Sequence, residues 1–258
     1  MWANYSVDVS KNSMKKFVLF LIVTALLLVP THAAEEYHWF FKPVKDARPT
    51  MPPDGVKDPG ENALMIGPDA KRVYLTFDAG FINDNVRTIT QILKEEEVPA
   101  AFFILKQVVN ENADLIEEWR EAGFLVCNHT FTHKNCARLS EEEMKRELLS
   151  LEELYREKTG GELAKFFRPP EGSYNQKVID TAASLGYRTV FWSCAYADWD
   201  NDRQMAKADA LKLLLSRTHN GALVLLHPTG NTNAAILRDY IRALKTAGYT
   251  FGSLEELS

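Results

Sequence analysis

The stretch YLTFDAGF, Tyr74 to Phe81, decides the fold. With Val73 it makes an apolar run that ends in Asp78, and Gly80 follows as a turn former. That is the pattern of a buried strand delivering one acid into a turn. The acid stands alone: position 79 is Ala, where metal-assisted hydrolysis would call for a second carboxylate. Three readings of this stretch stay open: a lost catalyst, a metal held by fewer protein ligands, or a site with no metal.

Downstream the same signature recurs. Apolar runs AAFFIL (100–105), FLVCNH (124–129), FFRPP (166–170), TVFWS (189–193), ALVLLH (222–227) and a weaker TFGSL (250–254) are candidate strands. Amphipathic segments lie between them near 83–97, 110–122, 140–159, 175–186, 204–218 and 233–247. In the first, Val86, Ile89 and Leu93 recur at helical spacing. Ser140 and Glu143 make a capping box, and Gly123, Gly160, Gly186 and Gly248 stand where helices should stop. Continuous apolar strands alternating with helices imply a parallel sheet covered on both faces. Seven units suit a closed or nearly closed barrel; a doubly wound open sheet is the alternative.

Upstream, residues 35–70 lose all periodicity and carry six prolines in runs such as RPTMPPDGVKDPG. The segment 34–70 reads as an extended linker or a strap on the domain at 71–258. The cluster HWFFKP favours a strap, since Trp39, Phe40 and Phe41 would be costly in water. Earlier still, Lys15 and Lys16 precede the 13-residue apolar run FVLFLIVTALLLV and then PTHAAEE. This is the pattern of a signal peptide over residues 1–33, too short for an ordinary spanning helix. An uncleaved anchor is the alternative.

Export permits disulfides, yet Cys127, Cys136 and Cys194 are odd in number and sparse, which suits small buried residues better than a framework. The net charge of -5 gives no hint of nucleic-acid binding. A length of 258 residues allows one large α/β domain with a sizeable core.

In such sheets chemistry collects at the carboxyl ends of the strands. The first ends in Asp78, and the third runs into His129-Thr-Phe-Thr-His133. The fourth ends in Arg168 and continues to Tyr174, the fifth leads to Asp198 and Trp199, and the sixth ends in His227. The histidine pair at i, i+4, placed on one helical turn, would face one point and could hold a metal. The alternative is a pair of surface or satisfied core histidines. A closed structural zinc site of Cys127, His129, His133 and Cys136 is a further alternative, but its spacing matches no usual zinc module. Asp78 could be a turn acid, Arg168 an ion-pair partner and His227 a core histidine. Trp192 and Trp199 could be core aromatics or a platform for a sugar ring. One rim holding all of them favours a single site.

The series TFDAGF, HTFTH, RPPEGSY, ADWD and LLHPT, in that order, resembles the NodB-type polysaccharide deacetylases over about Arg72 to Leu257. The resemblance implies an α/β fold, a distorted (β/α)7–8 barrel of parallel strands with outer helices, that removes acetyl groups from N-acetylated sugars. HWFFKP and LLHPT look more specifically like the muramic acid de-N-acetylases, which make muramic δ-lactam in spore cortex. By position, Asp78 is then the base that activates water, Arg168 orients it, His227 is the acid and Asp198 its partner. His129 and His133 are implied to bind a divalent metal, taken as zinc. Tyr174 lies where a backbone N–H helps bind the oxyanion. Ala79 replaces an expected metal-binding Asp, a departure also found in the muramic acid subgroup, so weak and exchangeable metal is expected. The implied partner is peptidoglycan glycan, met by an exported monomer. Alternatives are an N-acetylglucosamine deacetylase of peptidoglycan or chitin-like chains, and an inactive barrel that binds cell-wall glycan.

Overall fold

The computed structural model describes residues 35–257, so the expected export segment at 1–33 lies outside the described residues. Among the described residues no helix is long and apolar enough to cross a membrane.

The main sheet is built on β3 (Arg72–Ala79), the strand that holds Asp78. It is followed by β4 (Ala100–Ile104), β5 (Leu125–Asn128), β6 (Ala164–Phe167), β8 (Arg188–Val190), β9 (Ala222–Leu226) and β10 (Thr250–Phe251). A two-residue strand from the proline-rich segment, β2 (Ala63–Leu64), joins beside β8. The path is β10-β3-β4-β5-β6-β8-β2, with β9 also paired to β3. Every pairing in it is parallel. Beyond β8 the chain turns to β9: Cys194 bridges Val224, and the Ser193 and Leu225 N–H groups donate to Leu223 and Cys194 carbonyls at 2.9 Å. The parallel sheet therefore curls into a barrel with this short seam, the architecture expected above.

The period of two sorts β3 into two faces. Val73, Leu75, Phe77 and Ala79 pack with Val86, Ile89 and Leu93 of the first helix, α1 (Asp84–Glu95). Tyr74 packs instead with Phe103, Cys127, Val190 and Leu223. Asn83 starts α1 by accepting from the Asn85 and Val86 N–H groups. The Ser140–Glu143 capping box opens α4 (Glu141–Thr159), and Gly160 closes it in the left-handed conformation at φ 67°.

Several boundaries differ from the sequence expectation. The helix expected at 110–122 is two helices, α2 (Lys106–Glu111) and α3 (Ala113–Glu121), separated where Asn112 takes φ -141°. The strand expected at 166–170 stops at Phe167, because Pro169 and Pro170 have no N–H for a ladder. The chain there makes a 3₁₀ turn, Pro170–Gly172, and then β7 (Ser173–Tyr174). The strand expected at 189–193 ends at Val190 as the backbone changes partners toward β9. The remaining helices, α5 (Gln176–Ser184), α6 (Lys207–Arg217) and α7 (Asn231–Thr246), fall inside or close to their expected segments.

The segment before β3 lies on the domain. Its first strand, β1 (Tyr37–His38), pairs antiparallel with β7. Trp39 is buried, while Phe40 stays exposed. Arg48 fastens the segment lower down, donating to the Asn220 and Gly67 carbonyls at 2.7 Å.

Candidate active site

Parallel strands bring their carboxyl ends to one rim, and the rim collects the polar residues singled out in the sequence. Asp78 leaves the end of β3 and meets Arg168, which leaves the end of β6. Arg168 is fully buried. Its Nη1 donates to Asp78 Oδ1 at 2.6 Å and its Nη2 to Thr76 Oγ1 at 2.8 Å. Its Nε donates to the Val190 carbonyl at 3.1 Å, and the guanidinium lies 4.2 Å from the centre of the Phe103 ring. A charge taken this far from water needs such a full set of partners. Burial alone would raise the Asp78 carboxyl, but Arg168, then His129 and His227, outweigh it and hold Asp78 below the usual carboxylate range. Asp78 is therefore an anion aimed at the cavity.

A second pair stands on the other side. His227 follows β9, and its Nδ1 lies 2.8 Å from Asp198 Oδ1. The His227 N–H and Asn233 Nδ2 both donate to Asp198 Oδ2, at 2.8 and 2.6 Å. Asp198 is buried and spends both oxygens on this cluster. Burial would lower the His227 imidazole, but the hydrogen bond and charge of Asp198, with Asp78 behind them, raise it above its ordinary value. With Nδ1 committed to Asp198, Nε2 is the nitrogen left for other chemistry.

The two histidines of HTFTH do converge, with ring centres 5.0 Å apart, but not on a helical turn. Residues 129–135 form no helix: Thr130 and His133 are left-handed, at φ 74° and 60°. Strain of this kind persists only where neighbours hold it. Asn128 Oδ1 accepts from the Thr130 N–H, Thr130 Oγ1 accepts from the His133 N–H, and Glu147 of α4 accepts from both the N–H and the hydroxyl of Thr132. His129 Nδ1 lies 2.8 Å from the Arg168 carbonyl, which fixes it as the protonated nitrogen and leaves the Nε2 lone pair free. That Nε2 lies 3.7 Å from Asp78 Oδ2. Burial pushes His129 down to about 4 against the pull of Asp78, so the ring is neutral at working pH, as a metal ligand must be. The donors fit a two-imidazole site. Among the described residues no three His, Cys, Asp or Glu side chains gather to enclose an ion. Ala79 is fully buried in the apolar layer beneath. The closed Cys–His zinc site does not form: Cys136 packs with Met144 and Phe167, and Cys127 with Tyr74 and Phe103.

Asp78, His129, His133 and His227 share a cavity of about 440 Å³ with Glu171, Gly172, Trp192, Trp199 and Leu225. A second lobe of about 460 Å³ continues past Trp199 to Gly80, Phe81, Leu105, Asn201 and Thr229. Trp199 is 65% exposed and Trp192 half-buried, so both keep surface open at the cavity. Tyr174 is expected at the cavity through its backbone N–H, and its side chain points to no role there. Its side chain is buried against Tyr37 and Phe191, and its hydroxyl donates to the Lys57 carbonyl. Only its backbone is left for a role at the cavity.

The structure adds Thr76, Asn233 and Glu147 to the site. Thr76 was legible, because it shares the face of Asp78 two residues on. Asn233 and Glu147 act from helices whose apolar pattern hides them.

A curled parallel sheet with an Arg-held carboxylate facing an Asp-held imidazole defines a barrel equipped for acid–base chemistry. The chain belongs to the polysaccharide deacetylase family, whose model matches residues 66–190. It is 33% identical over 231 residues to the peptidoglycan-N-acetylmuramic acid deacetylase PdaA of Bacillus subtilis, covering 86% of each chain. The structure of that protein, a family 4 carbohydrate esterase, superposes with a TM-score of 0.79 at 31% identity, over 87% of this chain and 97% of the other. The peptidoglycan-N-acetylglucosamine deacetylase PgdA of Listeria monocytogenes is 30% identical over 72% of this chain and 39% of its own. A family 4 pseudoenzyme from Bacillus anthracis superposes with a TM-score of 0.70 at 30% identity, over 76% and 68%.

Proposed function

We propose that this protein is an exported hydrolase that removes the N-acetyl group from peptidoglycan amino sugars. Its preferred substrate is N-acetylmuramic acid, on the way to muramic δ-lactam in spore cortex. The observation that carries the reading is the pair of oppositely tuned groups across one cavity: Asp78 held ionised by Arg168, and His227 shifted toward its protonated form by Asp198. A glycan-binding module has no use for such a pair. The likeness to the B. subtilis enzyme over nearly the whole chain supports muramic acid as the sugar.

Amide hydrolysis joins a poor nucleophile to a poor leaving group, so it needs both a base and an acid, each worth about 10²–10⁴ in rate. Asp78 takes a proton from water as its oxygen attacks the acetyl carbon. His227 then gives a proton from Nε2 to the sugar nitrogen as the C–N bond breaks, leaving acetate and a free amine. Arg168 keeps Asp78 aimed and ionised before the attack, Asp198 orients His227 and favours its protonated form, and the proton taken up by Asp78 returns to solvent as His227 takes one back. Trp192 and Trp199 present faces to the sugar ring. His129 and His133 would hold a divalent ion, and zinc suits two imidazoles. When bound, it supplies Lewis-acid polarisation of the acetyl carbonyl. With Ala at 79 the protein donor set is smaller than the three ligands usual in catalytic zinc sites, so the ion is held weakly.

The signal-peptide reading of residues 1–33 places this chemistry outside the cytoplasm, and the unit acts as a monomer. The test is to incubate the protein with glycan strands stripped of stem peptides and to identify which amino sugar gains a free amine. Deacetylated muramic acid is the expected product. Deacetylated glucosamine alone would replace the substrate but keep the reaction, and glycan binding without either product would leave a binding barrel.

A further inference from the structure

The matched family region begins at residue 66, yet one wall of the active cavity is braced by a residue upstream of it. Trp39 is only 4% exposed and makes three separate contacts with that wall. Its backbone N–H donates to the Gly172 carbonyl at 2.9 Å. Its indole Nε1 donates to the Trp192 carbonyl at 2.9 Å. Its ring stacks on Phe191 with centres 4.6 Å apart and planes at 23°. Gly172 and Trp192 both line the cavity beside Asp78 and His227.

The wall would not stand in this form by local preference alone. Glu171 is left-handed at φ 58°, a conformation most side chains avoid, and Gly172 follows at φ 64°. A Cβ at Gly172 would come within 2.8 Å of the Trp192 ring and 3.2 Å of Trp39 Cβ, so the turn, the cavity tryptophan and the strap are in mutual contact. The Phe191 carbonyl between them accepts from Arg168 Nη2 at 3.3 Å, which ties the same wall to the partner of Asp78.

We propose that Trp39 is a positioning residue for the substrate cavity: the strap sets the place of Trp192 and of the Glu171–Gly172 turn, and through them the fit of the sugar. The role rests on reading the cavity as the sugar site of the hydrolase. Trp39 then makes the strap a brace of the cavity wall, not a tether leading to it.

The test compares Trp39→Phe with Phe40→Ala in the whole protein. Trp39→Phe keeps an aromatic ring beside Phe191 but removes the Nε1–H donor and the second ring of the indole. Phe40 is an exposed neighbour on the same strap. The first readout is the fluorine NMR signal of Trp192 in protein labelled with 5-fluorotryptophan, assigned by Trp192→Phe. The second is acetate release from stem-peptide-free glycan. Trp39→Phe is expected to shift or broaden the Trp192 signal and to raise KM about 2- to 10-fold, the value of one hydrogen bond, with kcat changed less. Phe40→Ala is expected to leave both unchanged. An unmoved Trp192 signal in Trp39→Phe, or equal effects in the two variants, would overturn the proposal. If the wild type releases no acetate, the hydrolase reading falls, and the Trp192 signal still decides whether Trp39 sets the wall.

Discussion

At the scale of single residues, the Asp78–Arg168 and His227–Asp198 pairs make distinct demands. Arg168→Met would strand the Asp78 carboxylate in a buried site, and breaking such a pair costs about 3–5 kcal/mol. A clear fall in melting temperature at neutral pH checks this, and the fall should shrink at acid pH, where Asp78 is protonated. The His227 shift has the opposite sign. A raised folded-state pKa gives stability that is complete below the unfolded value and lost as pH rises through the folded one. The same shift favours the loaded form of the acid. Asp198→Asn removes the main force raising it and leaves burial, which lowers it. The alkaline limb of the pH–kcat profile should therefore move to lower pH, and an unmoved limb would count against His227 as the acid. Ala79 bears on the metal. Ala79→Asp places a carboxylate in a fully buried apolar position, so it should lower the melting temperature in chelator. Zinc should restore it, because an ion bound only by the folded state stabilises that state. Equal melting temperatures in chelator and in zinc would show that position 79 has no access to the ion.

At the scale of elements, most of what positions the site was readable because burial dominates there. The run into Asp78 alternates between the helix-facing layer and the barrel interior, and both faces are apolar enough to show a parallel strand. Helix starts and stops were legible where they use side chains, as at Ser140, Glu143 and Gly160. They were not where they use none: α2 begins after Leu105 with no side-chain cap, straight off β4. The histidine loop shows the same limit. The i, i+4 spacing suggested a helical turn, but the backbone is bent by two left-handed residues and held from α4 by Glu147. Glu147→Ala would leave the Thr132 N–H and hydroxyl short of partners at a cost of about 1–3 kcal/mol. It should also weaken zinc binding, measured by calorimetry, by loosening His133. Unchanged zinc affinity would mean that the loop holds its shape without α4.

At the scale of the whole molecule, the rim of the barrel was legible and its braces were not. Five strand ends carry the chemistry, and strand order alone brings them together. The proline-rich segment gave away its aromatic cluster but not its pairings, β1 with β7 and β2 with β8, because two-residue strands leave no periodic trace. The most direct test of the whole reading is acetate release from stem-peptide-free peptidoglycan glycan by the wild type beside Asp78→Asn, with glycan binding measured in both. The expected result is acetate from the wild type, at least about 10²-fold less from Asp78→Asn, and equal binding. Binding by both proteins with acetate from neither would contradict it, and would place this barrel with the pseudoenzymes of its family.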